Sequence, residues 1–154
     1  MKKILYLDLD GVLADFVKGV KKLSPNTDLT FYTKEVDDIC EANPTVFHTL
    51  EPIEGGIEAV KELFDLFDVY FLSSPMYHVP LSYAGKRVWL ETHFGALAEK
   101  RLVLTHRKDL VIGDIIVDDT FRYGVDKFKG IHVHFATEKF PDWQTTLTHL
   151  KTLA

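Results

Sequence analysis

The 154-residue sequence contains a single cysteine, Cys40. An intrachain disulfide is excluded, and nothing points to an oxidising compartment. The lone thiol is expected to be a small apolar filler. No apolar run approaches the roughly 20 residues that span a bilayer. The basic start "MKKILYLDLDG" is interrupted by acids at once, so it does not read as a secretory signal, and a cytoplasmic location is expected. A basic surplus is missing as well: 18 Lys+Arg face 23 Asp+Glu, for a formal net charge of −5. That balance gives no support to binding a nucleic-acid polymer, which needs a cationic face, but it leaves a single nucleotide open as a ligand. His132 and His134 alternate along one run without two further ligands, so no zinc site is expected. There is no internal repeat and no low-complexity tract, and nothing indicates an oligomeric state.

What is present is an ordinary globular composition, 46% hydrophobic and 27% charged, at a length that supports one domain with a real core. Five short apolar runs, "KILYLD" (3–8), "DVYFLS" (68–73), "RLVLT" (101–105), "DIIVDD" (114–119) and "IHVHF" (131–135), read as strands buried on both faces. Helical patterns lie between and after them, at 55–67, 83–94 and 142–153. In the last of these Trp143, Leu147 and Leu150 share a face and Asp142 is the expected N-cap. The alternation predicts an α/β fold around a five-stranded parallel sheet flanked by helices. Residues 17–52 are too long for an ordinary βα loop. They are expected to form a small helical insertion above the sheet, leaving 1–16 and 53–154 as the core.

In an open parallel sheet, ligands bind beyond the carboxyl ends of the strands. Asp8 and Asp10 follow the first run, Ser73 and Ser74 end the second, Lys108 lies beyond the third, and Asp118 and Asp119 end the fourth. Each has an innocent explanation alone: an Asp caps a turn, a Ser-Pro starts a loop, a Lys is solvated. Together they bring four carboxylates, a hydroxyl and a cation to one edge. Adjacent acids repel unless a cation offsets them, so the cluster points to Mg²⁺. Phosphoryl transfer uses the whole set. Mg²⁺ and Lys108 offset the charge of a phosphate dianion, and Ser73 donates to a phosphoryl oxygen. One carboxylate attacks to form an aspartyl-phosphate, and another, two residues on and facing the same way on an extended strand, shuttles the proton. Gly11 lets the chain turn tightly beside the ligand.

The stretches "DLDGVLADF", "LSSP", the lysine and "DIIVDD" resemble the haloacid dehalogenase (HAD) superfamily of phosphatases. With "EPIEGGIEAVKEL" and "KRVWLETHFG" they resemble, more narrowly, the 5′(3′)-deoxyribonucleotidase family. The resemblance implies a HAD-like Rossmannoid core with a small cap after the first strand, and the first strand beside the fourth. It implies Asp8 as nucleophile and Mg²⁺ ligand, and Asp10 as acid/base with its backbone carbonyl on the metal. Ser73 takes the hydroxyl role and Lys108 the phosphate. Asp119 is the direct metal ligand and Asp118 lies behind it, although the two could exchange. Phe16, Ser74 and Gly11 would touch the substrate, Phe16 near the base. Phe31, Tyr32 and Phe47 are aromatics of the insertion, with Phe31 and Phe47 expected in its own small core. Arg122 could replace an arginine that relatives carry just after the acid pair. The implied activity is hydrolysis of (deoxy)nucleoside monophosphates. A phosphatase for another small phosphoester, such as a sugar phosphate, is the alternative. A phosphoacceptor signalling domain ranks last, because there the acid pair comes early and the phosphoacceptor on a later strand.

Overall fold

Each of the five apolar runs forms a strand in the computed structural model, which describes residues 1–29 and 33–154. The strands are β1 (Ile4–Leu7), β2 (Asp68–Ser73), β3 (Leu102–Leu104), β4 (Ile115–Asp118) and β5 (Ile131–His134), all parallel in the order β3-β2-β1-β4-β5. The two edge strands have three and four residues, which limits the open hydrogen-bonding edge. β1 sits at the centre. Its Leu7 is level with Phe71 of β2 and with Val117 of β4, so the carboxyl ends of the three strands open at one edge. The chain passes from β1 to β2 on one side and later to β4 on the other, and the crevice at that switch point is where a ligand fits.

Strand alternation divides the core. Leu5, Leu7, Val69, Phe71, Ile115, Val117 and Val133 belong to the large cluster. Tyr6, Leu72 and Ile116 face the other way and are covered by Val125 and Phe128, whose ring meets Tyr6 edge-on at 6.2 Å. The helices are α1 (Phe16–Leu23), α2 (Lys34–Ala42), α3 (Gly56–Leu66), α4 (Pro80–Phe94) and α5 (Trp143–Leu153). α4 starts earlier than the apolar pattern suggests, because Pro80 supplies a preset φ at its first turn. Asp142 caps α5 as expected, accepting from the Thr145 amide at 2.8 Å. Trp143 and Leu150 are buried, and Leu147 packs against the cluster.

The stretch between β1 and α3 is helical, as expected: α1, α2 and a 3₁₀ turn, Pro44–His48. α1 begins at Phe16, one residue before the expected boundary. Its buried residues do not form a separate core. Val20, Val36, Cys40, Phe47 and Leu50 are continuous with the large cluster. The 3₁₀ turn packs so closely on α4 that a Cβ at Gly85 would fall 2.7 Å from the Phe47 Cβ. Trp89 is buried, as expected for a packing residue, and its Nε1 donates to the Leu50 carbonyl at 2.8 Å.

Candidate active site

β1 ends at Leu7, yet Asp8 stays on the sheet through one more bond, its amide donating to the Val117 carbonyl at 3.0 Å. The chain then folds back on itself. The amides of Val12, Leu13 and Ala14 all donate to the Leu9 carbonyl, at 3.1, 2.8 and 2.9 Å. Gly11 carries φ +79°, the left-handed region that a side chain disfavours. A Cβ at Gly11 would also collide with the Asp119 carboxylate. Turn and site therefore demand glycine independently. Here the sequence expectation needs correction: Asp8 and Asp10 do not share a direction through strand alternation, because the strand has already ended. Both reach the same cavity because the turn carries Asp10 round.

The paired acids differ sharply. Asp118 is fully buried, with Oδ2 taking the Lys108 ammonium at 2.5 Å and Oδ1 accepting from the Thr120 amide and hydroxyl at 2.9 and 3.1 Å. Asp119 instead lines the cavity. Lys108 is itself buried and also lies 3.2 Å from Asp8 Oδ1. Burial pushes this ammonium down, but Asp8 and Asp118 outweigh it and hold the lysine above its ordinary range. Burial, then Asp8, raises Asp118 to about 6 against the pull of Lys108. Asp119 is pushed up to about 7, by burial first and then by Asp8 and Asp118.

One oxygen each from Asp8, Asp118 and Asp119 lies within 4.8 Å of the others. Three carboxylates face the single Lys108 ammonium, which leaves two negative charges without compensation when all are ionised. A hard divalent cation with oxygen ligands matches this set in charge and donor type. These residues fit Mg²⁺.

The cavity above this cluster measures about 750 Å³. Ser73, at the end of β2, lines it, and so do Gly11 and Phe16. Ser74 lines it too, while its hydroxyl donates to the Thr105 carbonyl at 2.7 Å and ties the β2 and β3 ends together. Phe16 is mostly covered and stacks on Phe47, with ring centroids 6.0 Å apart. Phe47 is buried, but in the main cluster and not in a separate core of the insertion, whereas Phe31 and Tyr32 lie outside the described residues. Arg122 is on the cavity wall beside Tyr123. Arg107 is not; it makes a two-pronged pair with Asp109 at 2.9 and 2.6 Å. His106 lines the cavity and donates through Nε2 to the Pro75 carbonyl at 2.7 Å.

Sequence reasoning missed Lys86. Its side chain is 2% exposed, and Nζ lies 2.6 Å from Asp10 Oδ2. A signal was available: on α4, Lys86 falls on the buried stripe with Ser82, Trp89 and Leu90. A lysine on a buried stripe needs an anionic partner. His132 and His134 have a role other than the zinc ligation that their spacing fails to support. Their Nε2 atoms donate instead to the carbonyls of Asp118 and Asp119, each at 3.0 Å.

The fold matches those of solved hydrolases. A haloacid dehalogenase-like family hydrolase from Xanthomonas campestris superposes with TM-score 0.63 at 12% identity, covering 99% of this chain and 96% of that one. A HAD-hydrolase from Bacillus subtilis, solved bound to magnesium, gives 0.58 at 11%, over 97% and 98%. These likenesses fix the fold as HAD-like. Closer relatives appear in sequence. A protein of Vibrio phage KVP40 is 37% identical across 97% of this chain and 85% of its own length. The human cytosolic-type 5′(3′)-deoxyribonucleotidase is 31% identical across 92% and 77%. The Bacillus subtilis 5′(3′)-deoxyribonucleotidase is 29% identical across 88% and 86%. The family model for the 5′ nucleotidase, deoxy (pyrimidine), cytosolic type C protein matches residues 39–145, taking in Lys86, Lys108 and the paired acids. With a HAD-like fold, acids and a buried lysine at its switch point, and relatives matched along nearly the whole chain, this protein belongs to that 5′-nucleotidase family of phosphomonoester hydrolases.

Proposed function

We propose that the protein hydrolyses (deoxy)nucleoside monophosphates with Mg²⁺ through an aspartyl-phosphate on Asp8. The observation that carries the reading is the convergence of Asp8, Asp119 and Lys108 on one cavity in which Asp10 is held by a separate buried lysine. Asp8 and Asp119 would hold Mg²⁺, with Asp118 behind them and the Asp10 carbonyl as a further ligand. Bound there, the ion offsets the charge of the phosphoryl oxygens.

Lys108 and Ser73 orient the phosphoryl group, one by charge and the other by a hydrogen bond. An Asp8 carboxylate oxygen attacks phosphorus, and the P–O bond to the nucleoside breaks. Asp10 delivers a proton to the leaving oxygen. Asp10 then takes a proton from water, which attacks the phosphorus of the acyl phosphate, freeing inorganic phosphate and restoring Asp8. With Oδ2 engaged by Lys86, Oδ1 is the Asp10 oxygen left for this exchange. Gly11 and Ser74 border the phosphoryl group and Phe16 the nucleoside. We read residues 17–52 as a cap, since Val17, Leu29, Asp37 and Glu41 contribute to the cavity wall. No helix among the described residues is long and apolar enough to cross a membrane, and the human relative's name makes the cytosol our reading of location.

The test is a phosphate-release panel of deoxy- and ribonucleoside monophosphates and sugar phosphates, with and without Mg²⁺. Mg²⁺-dependent turnover of nucleotides supports the reading. Turnover of a sugar phosphate with none of any nucleotide overturns the substrate, and equal rates in EDTA overturn the metal.

A further inference from the structure

We propose that His132 and His134 are positioning residues, which fix the main chain of Asp118 and Asp119 and thereby aim the Asp119 carboxylate at Mg²⁺; the inference rests on the metal reading above. In the parallel ladder Asp118 is level with His134, and the last rung is the Phe135 amide donating to the Asp118 carbonyl at 3.0 Å. Beyond that rung, no backbone amide among the described residues donates to the Asp119 carbonyl. His134 supplies the donor that the sheet no longer can, through Nε2 at 3.0 Å. His132 adds a second bond, also 3.0 Å, to the Asp118 carbonyl. Because a carbonyl only accepts, each ring must carry its proton on Nε2.

The rings are braced by contact with one another and with Phe121, which is itself 57% exposed. They stack on each other at 5.1 Å, and the Phe121 ring meets them edge-on at 5.2 and 4.5 Å. Phe121 and His134 themselves line the cavity, beside Thr120, Arg122 and Tyr123, so the magnesium titration is made without substrate to separate positioning from substrate contact. The hydrogen bonds thus hold the peptide that carries the proposed ligand, and the ring contacts support the imidazoles that make them. Main-chain direction at Asp119 matters because its carboxylate sits in the space that Gly11 leaves by lacking a Cβ. Rotation of the peptide there would shift the carboxylate relative to Asp8, one of whose oxygens lies within 4.8 Å of it.

Two substitutions separate the hydrogen bond from the packing. His134→Phe keeps a ring in the stack and loses the donor, whereas His134→Gln keeps a donor amide of similar reach and loses the ring. Isothermal titration of MgCl₂ into each protein without substrate reads the metal directly, and melting in EDTA checks folding. Positioning predicts that His134→Phe weakens Mg²⁺ binding about tenfold or more, the scale for groups that orient metal ligands, while His134→Gln stays within about threefold of the parent. Parental affinity in His134→Phe, or equal loss in both variants, overturns the inference. If His134→Phe does not fold, His132→Phe and His132→Gln provide the same comparison at the Asp118 carbonyl, with the same outcomes. A parent that binds no Mg²⁺ fails the metal reading itself, and is told apart from failure of the positioning role, in which the parent binds.

Discussion

Lys86 and Asp10 stand 76 residues apart in the chain, yet their side chains meet at 2.6 Å beside the cavity. The lysine is sealed inside α4's buried face, and the carboxylate is a quarter exposed. The proposed proton-transfer group is thereby held by a partner on an element unrelated to its own loop. Lys86→Met keeps most of the volume and removes the hold. Turnover should fall by about tenfold or more, but by no more than the ~10²–10⁴ that a positioned acid/base contributes. Steady-state phosphate release checks this, and an unchanged kcat would detach Lys86 from catalysis.

Asp8→Asn should abolish turnover, because an amide cannot form the acyl phosphate. Asp10→Asn should still bind phosphate while turnover falls by ~10²–10⁴. Phosphate release read together with equilibrium phosphate binding separates the two. Normal turnover in Asp8→Asn removes it as the nucleophile.

The paired acids should respond in opposite ways. Asp118→Ala strips a fully buried ammonium of its closest partner, a loss on the order of 3–5 kcal/mol for a broken buried pair. Asp119→Asn instead relieves the repulsion and burial that push this carboxyl up to about 7, so without Mg²⁺ its stability should match or exceed the parent's. Its Mg²⁺ requirement should shift to higher concentration. Urea melts and metal titrations of both proteins check the contrast, and the reverse order would exchange the two roles.

Gly11→Ala must adopt φ +79° and displace the Asp119 carboxylate. The left-handed backbone alone costs about 1–2 kcal/mol, and moving Asp119 should cost activity beyond the loss of fold. Melting temperature and residual turnover, measured below the transition, test both parts.

Burial, with Asp10 and then Asp37 adding to it, pushes the Cys40 thiol from an ordinary 9.0 up to about 12. The raised group favours the native state fully below the unfolded value, and that contribution fades as pH rises from 9 towards 12. The thiolate is the reactive form, and at pH 8 its fraction should be far lower in the native protein than in the unfolded chain. A disulfide reagent should therefore label Cys40 only on unfolding, and fast labelling of the native protein would contradict its burial.

The sequence made the sheet and the four acids legible for one reason. Parallel strands buried on both faces are continuous apolar runs, so Asp8 and Asp118 stand out where those runs stop. The placement of Asp10 beside Asp8 was less legible. The direction of Asp10 comes from three amides converging on the Leu9 carbonyl, which strand periodicity does not contain. Lys86 stayed hidden because helix spacing shows that it is buried but not which acid lies opposite. His132 and His134 were tested against a metal-ligand pattern, and a histidine that donates to a carbonyl leaves no pattern. Phe47 was readable as a core residue, but its continuity with the main cluster depends on how closely the 3₁₀ turn meets Gly85.

That docking makes α4 a shared joint. One helix receives the end of the insertion at Gly85, donates from Trp89 to Leu50, and delivers Lys86 to Asp10. Residues 17–52 are therefore not an exchangeable module. A chimera that imports another enzyme's insertion onto this core would leave the Trp89 indole without its acceptor and lose the fit at Gly85, disturbing the helix that steadies Asp10. To alter what the cavity accepts without harming turnover, the insertion and α4 have to be moved together.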